Sequence, residues 1–196
     1  IEVIKGASSA IYGISALNGV VKITTKSPSK LLIDNHPSIG YTQINSLYGY
    51  YDNPKRKNLI WWEGKNEIFN LDLLHTEIFN NTSLFLSGNY FQDEGYRMGQ
   101  NILRKRISAS VKHFPKKIKD LQIGLNGTIM EKQDGIFLLW ESFDHGYIPL
   151  DSQFYRKSSL LYQLSPYISL KKGDSDHKIS AQLLNISLDF NQNNIE

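Results

Sequence analysis

Apolar and polar residues alternate with a period of two along most of the chain after residue 38, which is the pattern of strands with two chemically different faces. The segment 121–130 is the clearest, with leucine and isoleucine on one face and glutamine, asparagine and threonine on the other. The same alternation marks the segments 39–50, 68–78, 82–92, 102–112, 160–170 and 178–190. We therefore expect about seven strands, many near the 9–11 residues of a tilted transmembrane strand.

Two of these segments depart from strict alternation. In the segment 82–92, Phe85 and Phe91 fall on the face opposite the aliphatic residues. In the last, the phase slips at Leu183-Leu184, which predicts a β-bulge.

The connections between the predicted strands alternate in length. Every second connection is the longer one in the series 51–67, 79–81, 93–101, 114–120, 131–157 and 171–176. A soluble meander has no reason for this alternation. An outer-membrane barrel shows this alternation, because its strands are joined by short periplasmic turns and long extracellular loops in succession.

Alternation does not by itself say which face is wet. The polar faces carry Arg104, Arg106, Lys112, Gln122 and Asn126. This distribution fits a barrel with a wet lumen and lipid outside, and it also fits a soluble β-sandwich or jelly roll with a core inside and water outside. Both architectures stay open at this point.

Composition narrows the function classes. The chain of 196 residues has 22 Lys and Arg against 19 Asp and Glu, a net charge of +3, which gives no case for nucleic acid. Without cysteine it has no disulfide, thiolate metal site or cysteine nucleophile. The longest apolar run, 136–140, is far short of a membrane-spanning helix. No catalytic triad, carboxylate pair, metal-ligand spacing or cofactor motif is present, so we expect neither an enzyme nor a cofactor.

The opening stretch has a different texture. A short strand at 1–5 is followed by a helical turn that Gly13 ends, and the tight turn Asn18-Gly19 precedes a second strand at 20–26. Neither a nucleophile elbow nor a phosphate-binding loop is complete here. We therefore interpret the glycines as positions for positive φ and close packing.

These opening residues resemble the end of the plug domain of TonB-dependent outer-membrane receptors. In that family an I-E-V strand ending in Lys/Arg-Gly is followed by a small-residue segment with Tyr-Gly and then by a Gly-Val strand ending in Thr-Lys. The matching residues are Ile1, Glu2, Val3, Lys5, Gly6, Ser9, Ala10, Tyr12, Gly13, Gly19, Val20, Ile23, Thr24 and Lys26. Asn18 stands where many members have a second glycine, and Lys22 where Asn is common. The Asn-Gly-Val form resembles the branch that includes glycan and oligomer importers.

The resemblance implies an all-β membrane protein: a partial antiparallel transmembrane β-barrel preceded by the end of an α+β plug domain. It assigns 1–26 to the end of the plug, 27–38 to a linker and 39–196 to about seven barrel strands, with the longer connections outside the cell. The residues with a structural role in the plug would be Gly6, Tyr12, Gly13, Asn18 and Gly19.

The resemblance also implies a receptor that imports a scarce nutrient: a metal chelate, cobalamin, or an oligomer or glycan. We expect the chain to be an internal fragment, since it opens within a strand and barrels of this class reach 22 strands. The expected partners are TonB, through a region absent from this sequence, the lipid of the outer membrane, the imported ligand and a surface lipoprotein.

Aromatic residues near the long connections are the candidate ligand-binding residues. They are Trp61, Trp62, Trp140 and Tyr147, and the segment 131–157 is the expected ligand-facing loop. An interfacial aromatic girdle is the other interpretation of the tryptophans. In the alternative of a soluble β-sandwich, the three tryptophans would form a carbohydrate-binding platform.

Overall fold

The structure is a computed structural model that describes residues 2–5, 19–22, 38–52, 55, 59–62, 65–137, 139–150 and 154–192. Its regular structure consists of ten strands: β1 (Glu2–Lys5), β2 (Gly19–Lys22), β3 (Ser38–Tyr50), β4 (Glu67–Phe79), β5 (Thr82–Asp93), β6 (Ile102–His113), β7 (Leu121–Phe137), β8 (Phe154–Lys172), β9 (Ser175–Ser180) and β10 (Leu183–Gln192). No helix in these ranges is long and apolar enough to cross a membrane.

The strands form two antiparallel sheets. β1 and β2 make a two-stranded ladder, in which Gly19 pairs with Lys5 and has a φ of 140°, a conformation that favours glycine. The larger sheet runs β3-β4-β5-β6-β7-β8-β10, and β9 also pairs with β8. The predicted all-β antiparallel fold is confirmed. Gly6, Tyr12, Gly13 and Asn18 lie outside the described residues.

The long strands begin and end close to the predicted limits, except around the last long connection. β7 continues to Phe137 and β8 begins at Phe154, so much of the expected loop 131–157 is a paired ribbon. The prediction was wrong because residues 131–134 are polar on both faces, which removes the alternation signal. The connections 51–66 and 138–153 are long, 80–81 and 173–174 are tight, but 94–101 and 114–120 are nearly equal in length.

The predicted β-bulge near Leu183 is absent. Ser180 pairs with Tyr167 and Leu183 with Leu164, so the register is the same on both sides of the gap between β9 and β10. The gap lies opposite Pro166, which accepts a hydrogen bond from the backbone N–H of Ala181 but has no N–H to return. The gap between β9 and β10 therefore reflects the missing backbone N–H donor of Pro166 and not an added residue.

Register decides which side chains share a face, because directly opposed residues point the same way and neighbours along a strand alternate. From β4 to β8, one face is mainly aliphatic and the other mainly hydroxyl, amide and charged; we call them the apolar face and the polar face. No other described element packs across the apolar face. Its strongly exposed large side chains are Leu73, Phe79, Leu86, Ile107, Val111, Ile123, Leu125, Ile129, Tyr162, Leu164 and Ile168.

β10 reverses this distribution. Because the register does not shift, Leu184, Ile186 and Leu188 lie on the same side as the polar face, while Asn185 and Ser187 lie on the side of the apolar face. The reversal is confined to this strand at the edge of the described sheet.

The polar face contains a closed hydrogen-bond network. Asn89, which is 7% exposed, donates from Nδ2 to Asn70 Oδ1 and Asp72 Oδ1, each at 2.8 Å. Its Oδ1 accepts from Arg104 Nε at 3.1 Å, and Asn70 Nδ2 donates to Asp72 Oδ2 at 2.7 Å. The Arg104 guanidinium also lies 5.1 Å from the centroid of the Phe91 ring. Phe91, an apolar residue on the polar face, thus contacts a cation there.

A second polar-face contact depends on a glycine. The ring of Tyr167 in β8 lies across Gly124 in β7, and its hydroxyl accepts a hydrogen bond from Gln122 Nε2. A Cβ added at Gly124 would overlap the tyrosine ring. The absent side chain therefore lets a large ring lie flat on the sheet.

Replacing this glycine tests the packing. We expect Gly124→Ala to lower the free energy of unfolding by about 1–3 kcal/mol, because the Tyr167 ring must leave its position. Denaturant unfolding followed by tryptophan fluorescence measures the change. Gly49→Ala is the matched control, since an added Cβ there meets nothing within 4 Å. Equal losses in the two variants would contradict this account, as would an undiminished loss in a Tyr167→Ser background.

Candidate functional site

The described parts of the connections 51–66, 94–101 and 138–153 gather at one end of the large sheet. A backbone hydrogen bond from Met98 N–H to Tyr147 O at 2.8 Å joins the second connection to the third, and one from Tyr51 N–H to Asn66 O at 2.9 Å ties the two ends of the first together. The Asn66 side chain, which is 5% exposed, donates from Nδ2 to Gly95 O at 2.6 Å. These bonds make three connections that are distant in sequence into one unit.

Tyr96 is the centre of this unit. Its ring centroid lies 5.9 Å from that of Tyr51 and 5.5 Å from that of Tyr147, the latter edge-on at 80°. Its carbonyl accepts a hydrogen bond from Trp61 Nε1 at 3.2 Å. Trp62 meets Trp61 edge to face, with ring centroids 5.6 Å apart. We call these five residues the aromatic loop cluster.

The turn before Tyr96 is tight. Gly95 has a φ of 73°, and a Cβ there would lie 2.7 Å from the carbonyl oxygen of Gln100. The Gly95 N–H donates to Asp93 Oδ1 at 2.7 Å, which ties the turn to the end of β5. Glycine at this position therefore brings Tyr96 over the sheet end.

A recess of about 290 Å³ lies beneath the cluster. Its wall includes Tyr51, Tyr96 and Gln100 together with the carboxylates of Asp93 and Asp134. Aromatic faces next to hydrogen-bonding groups suit a small hydroxylated ligand unit, because such pockets combine apolar walls with a few orienting polar atoms. We call this space the loop recess.

The Tyr51 phenol is held by an acidic neighbour. Its hydroxyl donates to both carboxylate oxygens of Asp93, each at 3.0 Å. Burial, followed by this hydrogen bond and the charge of Asp93, raises the pKa of Tyr51 from 10.0 to about 12. The protonated phenol is therefore a fixed donor in the wall of the loop recess.

The four aromatic residues predicted as ligand-binding residues do not share one location. Trp61, Trp62 and Tyr147 belong to the aromatic loop cluster, and Trp62 is buried, with an indole N–H that has no partner among the described residues. Trp140 is 56% exposed and pairs through its backbone with Pro149 in a small hairpin of 139–150. Trp140 therefore stands apart from the other three.

Sequence reasoning missed Tyr51, Asp93 and Tyr96. The only signal near Tyr96 is its place between Gly95 and Gly99, both with positive φ, which indicates a tight loop but not its partners. The contacts of Tyr96 join three separate connections, and no local pattern encodes such contacts.

The Tyr51 phenol can be followed by alkaline titration. The difference in phenolate absorbance between the protein and Tyr51→Phe should show one group that titrates near pH 12. Since the folded-state pKa exceeds the value of about 10 for an unfolded tyrosine, its contribution to stability is complete below pH 10 and is lost as the pH rises to 12. Asp93→Asn should lower the pKa only part of the way, because burial remains. A difference titration centred near 10 would contradict this placement.

The role of Tyr96 can be tested by truncation. Tyr96→Ala removes the ring that Tyr51 and Tyr147 share, so hydrogen exchange should become faster by at least about tenfold in both 94–101 and 145–150, which corresponds to about 1.4 kcal/mol of local opening free energy. Trp140→Ala, at an exposed aromatic in the same region, is the control and should leave both segments unchanged. Faster exchange confined to 94–101 would show that Tyr96 does not couple the connections.

Comparison with known proteins gives one similarity. A segment of 147 residues, 64% of the chain, is 28% identical to the TonB-dependent receptor P3 of Formosa agariphila and spans 14% of that receptor's length. No protein-family model and no solved structure matches. The chain is thus similar to part of a TonB-dependent receptor.

Proposed function

We propose that this chain is part of a TonB-dependent receptor of the outer membrane, an active importer of a scarce nutrient. The observation that carries the proposal is the apolar face of β4 to β8, which no other described element covers, opposite a polar face with a closed hydrogen-bond network. A soluble sheet places its apolar face inside; a barrel wall places it against lipid. The similarity to a TonB-dependent receptor supports the same conclusion.

Polar pairs bound the apolar face at both ends. At the end with the tight turns, Thr42 pairs with His75 at 2.9 Å and Thr82 with His113 at 2.8 Å. At the loop end, Lys105 Nζ lies 3.7 Å from Glu131 Oε2. These pairs would lie at the two membrane surfaces, where charged and polar side chains meet water and headgroups.

The height of the apolar band agrees with a membrane. From Lys105 to His113, β6 extends about 27 Å at 3.4 Å per residue. With a strand tilt of 35–45°, this length spans about 19–22 Å of thickness, near the ~25 Å apolar band of outer-membrane barrels. Tyr48, Phe69 and Tyr90 lie together on this face at its loop end, and the Phe69 and Tyr90 ring centroids are 6.0 Å apart. We interpret them as the aromatic girdle.

In this proposal the loop end of the sheet faces outside the cell, and the aromatic loop cluster with the loop recess contacts the imported ligand. Trp61, Trp62, Trp140 and Tyr147 remain the proposed ligand residues. The proposed ligand classes are a metal chelate, cobalamin, or an oligomer or glycan. No step of catalysis is part of the proposal.

The opening residues would complete a plug that occupies the lumen, with structural roles for Gly6, Tyr12, Gly13, Asn18 and Gly19. TonB would act on the plug through another region of the receptor. Outer-membrane lipid and a surface lipoprotein are the other proposed partners.

A soluble carbohydrate-binding β-sandwich is the competing interpretation. It needs a second sheet across the apolar face, and the described residues contribute none. It also needs Trp61, Trp62 and Trp140 on one platform, whereas Trp62 is buried and Trp140 is exposed elsewhere. These two observations favour the membrane proposal.

Spin labels on neighbouring residues test the orientation of the sheet. After refolding into phospholipid vesicles, labels at Ile107 and Ile129 should collide with oxygen and be shielded from a water-soluble nickel chelate. Labels at Ser108 and Thr128, on the same strands but the opposite face, should show the reverse preference. Labels at Ile107 and Ile129 that are shielded from both reagents would indicate a covering protein layer, as in the sandwich. Access of nickel to these two labels would overturn the membrane proposal.

A further inference from the structure

The polar face has a second recess, separate from the loop recess and nearer the tight-turn end of the strands. It has a volume of about 550 Å³ and lies over β5, β6, β7 and β8, with Lys178 of β9 at its side. Short hydroxyl and amide side chains make most of its floor: Ser83, Ser87, Ser108, Ser110, Asn126 and Thr128. Because these side chains are short, space and hydrogen-bonding groups are left above the sheet.

The charged residues of this recess have one sign. Arg106, Lys112 and Lys178 line it, and none of the lining residues is acidic. Among the described residues, no carboxylate lies within the 4.0 Å of an ion pair from these three groups. Arg104, two residues from Arg106 on the same face, is by contrast linked through Asn89 to Asp72. We call this space the basic recess.

The cations stand at opposite ends. Arg106 and Lys112 lie on one face of β6, about 20 Å apart along the strand at 3.4 Å per residue. Lys178 is at the Lys112 end, where its Nζ lies 4.9 Å from the centroid of the Tyr167 ring. Hydroxyl groups occupy the interval between the two ends. The recess therefore matches an extended molecule with separated anionic groups better than a single compact ion.

We propose that the basic recess binds an extended oligoanion whose carboxylate or sulfate groups are separated by hydroxyl-bearing units, as in an acidic oligosaccharide. Its anionic groups meet Arg106 at one end and Lys112 with Lys178 at the other. Its hydroxyl groups exchange hydrogen bonds with the serine and threonine floor. The hydrogen bonds between these cations and the anionic groups would be charge-assisted, and such bonds contribute more than neutral ones.

Charge complementarity disfavours the chain's own opening segment as the occupant. Residues 1–37 contain only Glu2 and Asp34 as acidic residues, against four lysines. A segment with a positive balance would be repelled by the basic recess. The inference depends on the two-faced sheet and on these charges, and it holds whether the apolar face meets lipid or another protein layer.

Calorimetric titration of the 196-residue chain, refolded in detergent micelles, tests the proposal. The probes are oligogalacturonate for carboxylate groups, dextran sulfate for sulfate groups and neutral dextran of matched length. We expect measurable binding of at least one anionic probe, weakened by added salt, and no binding of dextran. The stronger anionic probe identifies the favoured group.

Single charge removals locate the binding. Arg106→Gln, Lys112→Gln and Lys178→Gln should each weaken binding by about tenfold or more, in line with the loss of a charged hydrogen bond. Lys105→Gln is the matched control, because Lys105 neighbours Arg106 but lies on the apolar face beside Glu131, and it should change binding less than about twofold. Arg106→Lys retains the charge and should retain binding, which separates charge from folding.

Three outcomes would overturn the proposal. One is equal binding of neutral dextran. Another is an equal loss in Lys105→Gln and Arg106→Gln, which would indicate a general effect of net charge. The third is tighter binding of a polyglutamate peptide than of either anionic saccharide, because an acidic polypeptide would then be the occupant.

Discussion

The antiparallel ladder from β3 to β8 is the constraint on which the rest of the structure depends. Each pair of strands keeps one register along its length, so every side chain has a fixed face. A shift of one residue in any pair would exchange the apolar and polar faces on one side of that pair. The separation of aliphatic side chains from charged ones, and therefore every site described above, follows from this register.

The ladder also explains how polar groups are buried on the polar face of a single sheet. Asn89 and Asp72 satisfy their hydrogen-bonding groups through neighbours at fixed cross-strand positions, so their burial leaves no unmade bond. The apolar face differs, because its side chains have no covering layer among the described residues. In water such a large exposed apolar surface is unfavourable; against hydrocarbon it is not. The edges of β3 and β10 would then also need partners, since unpaired backbone groups cost several kcal/mol in lipid.

One polar face holds two chemically different places. Near the loops, Asp93 and Asp134 contribute carboxylates beneath an aromatic cluster, and Asp93 is engaged by Tyr51 and Gly95. Toward the tight turns, Arg106 and Lys112 lie over a hydroxyl floor, and neither has an acidic partner among the described residues. The two recesses therefore differ in the sign of the charged side chains that line them.

Much of this arrangement could be predicted from the sequence, because a period of two is local and each face needs only its own strand. The limits of most long strands and the face of Arg106 and Lys112 follow from alternation alone. The meeting of Tyr51, Tyr96 and Tyr147 could not be predicted, because it joins three connections that no local pattern relates. The extension of β7 to Phe137 was missed since alternation disappears at 131–134, where both faces are polar.

β10 shows where polarity and hydrogen bonding give different answers. From polarity alone one would expect a bulge near Leu183, because it would keep the aliphatic residues of β10 on the apolar face. The structure keeps the register instead, because Pro166 removes a single donor and the ladder resumes at Leu183 without an inserted residue. In this edge strand few neighbouring side chains contact either face, so the backbone hydrogen bonds determine the register. In β4 to β8 both requirements agree, and there the prediction from alternation held.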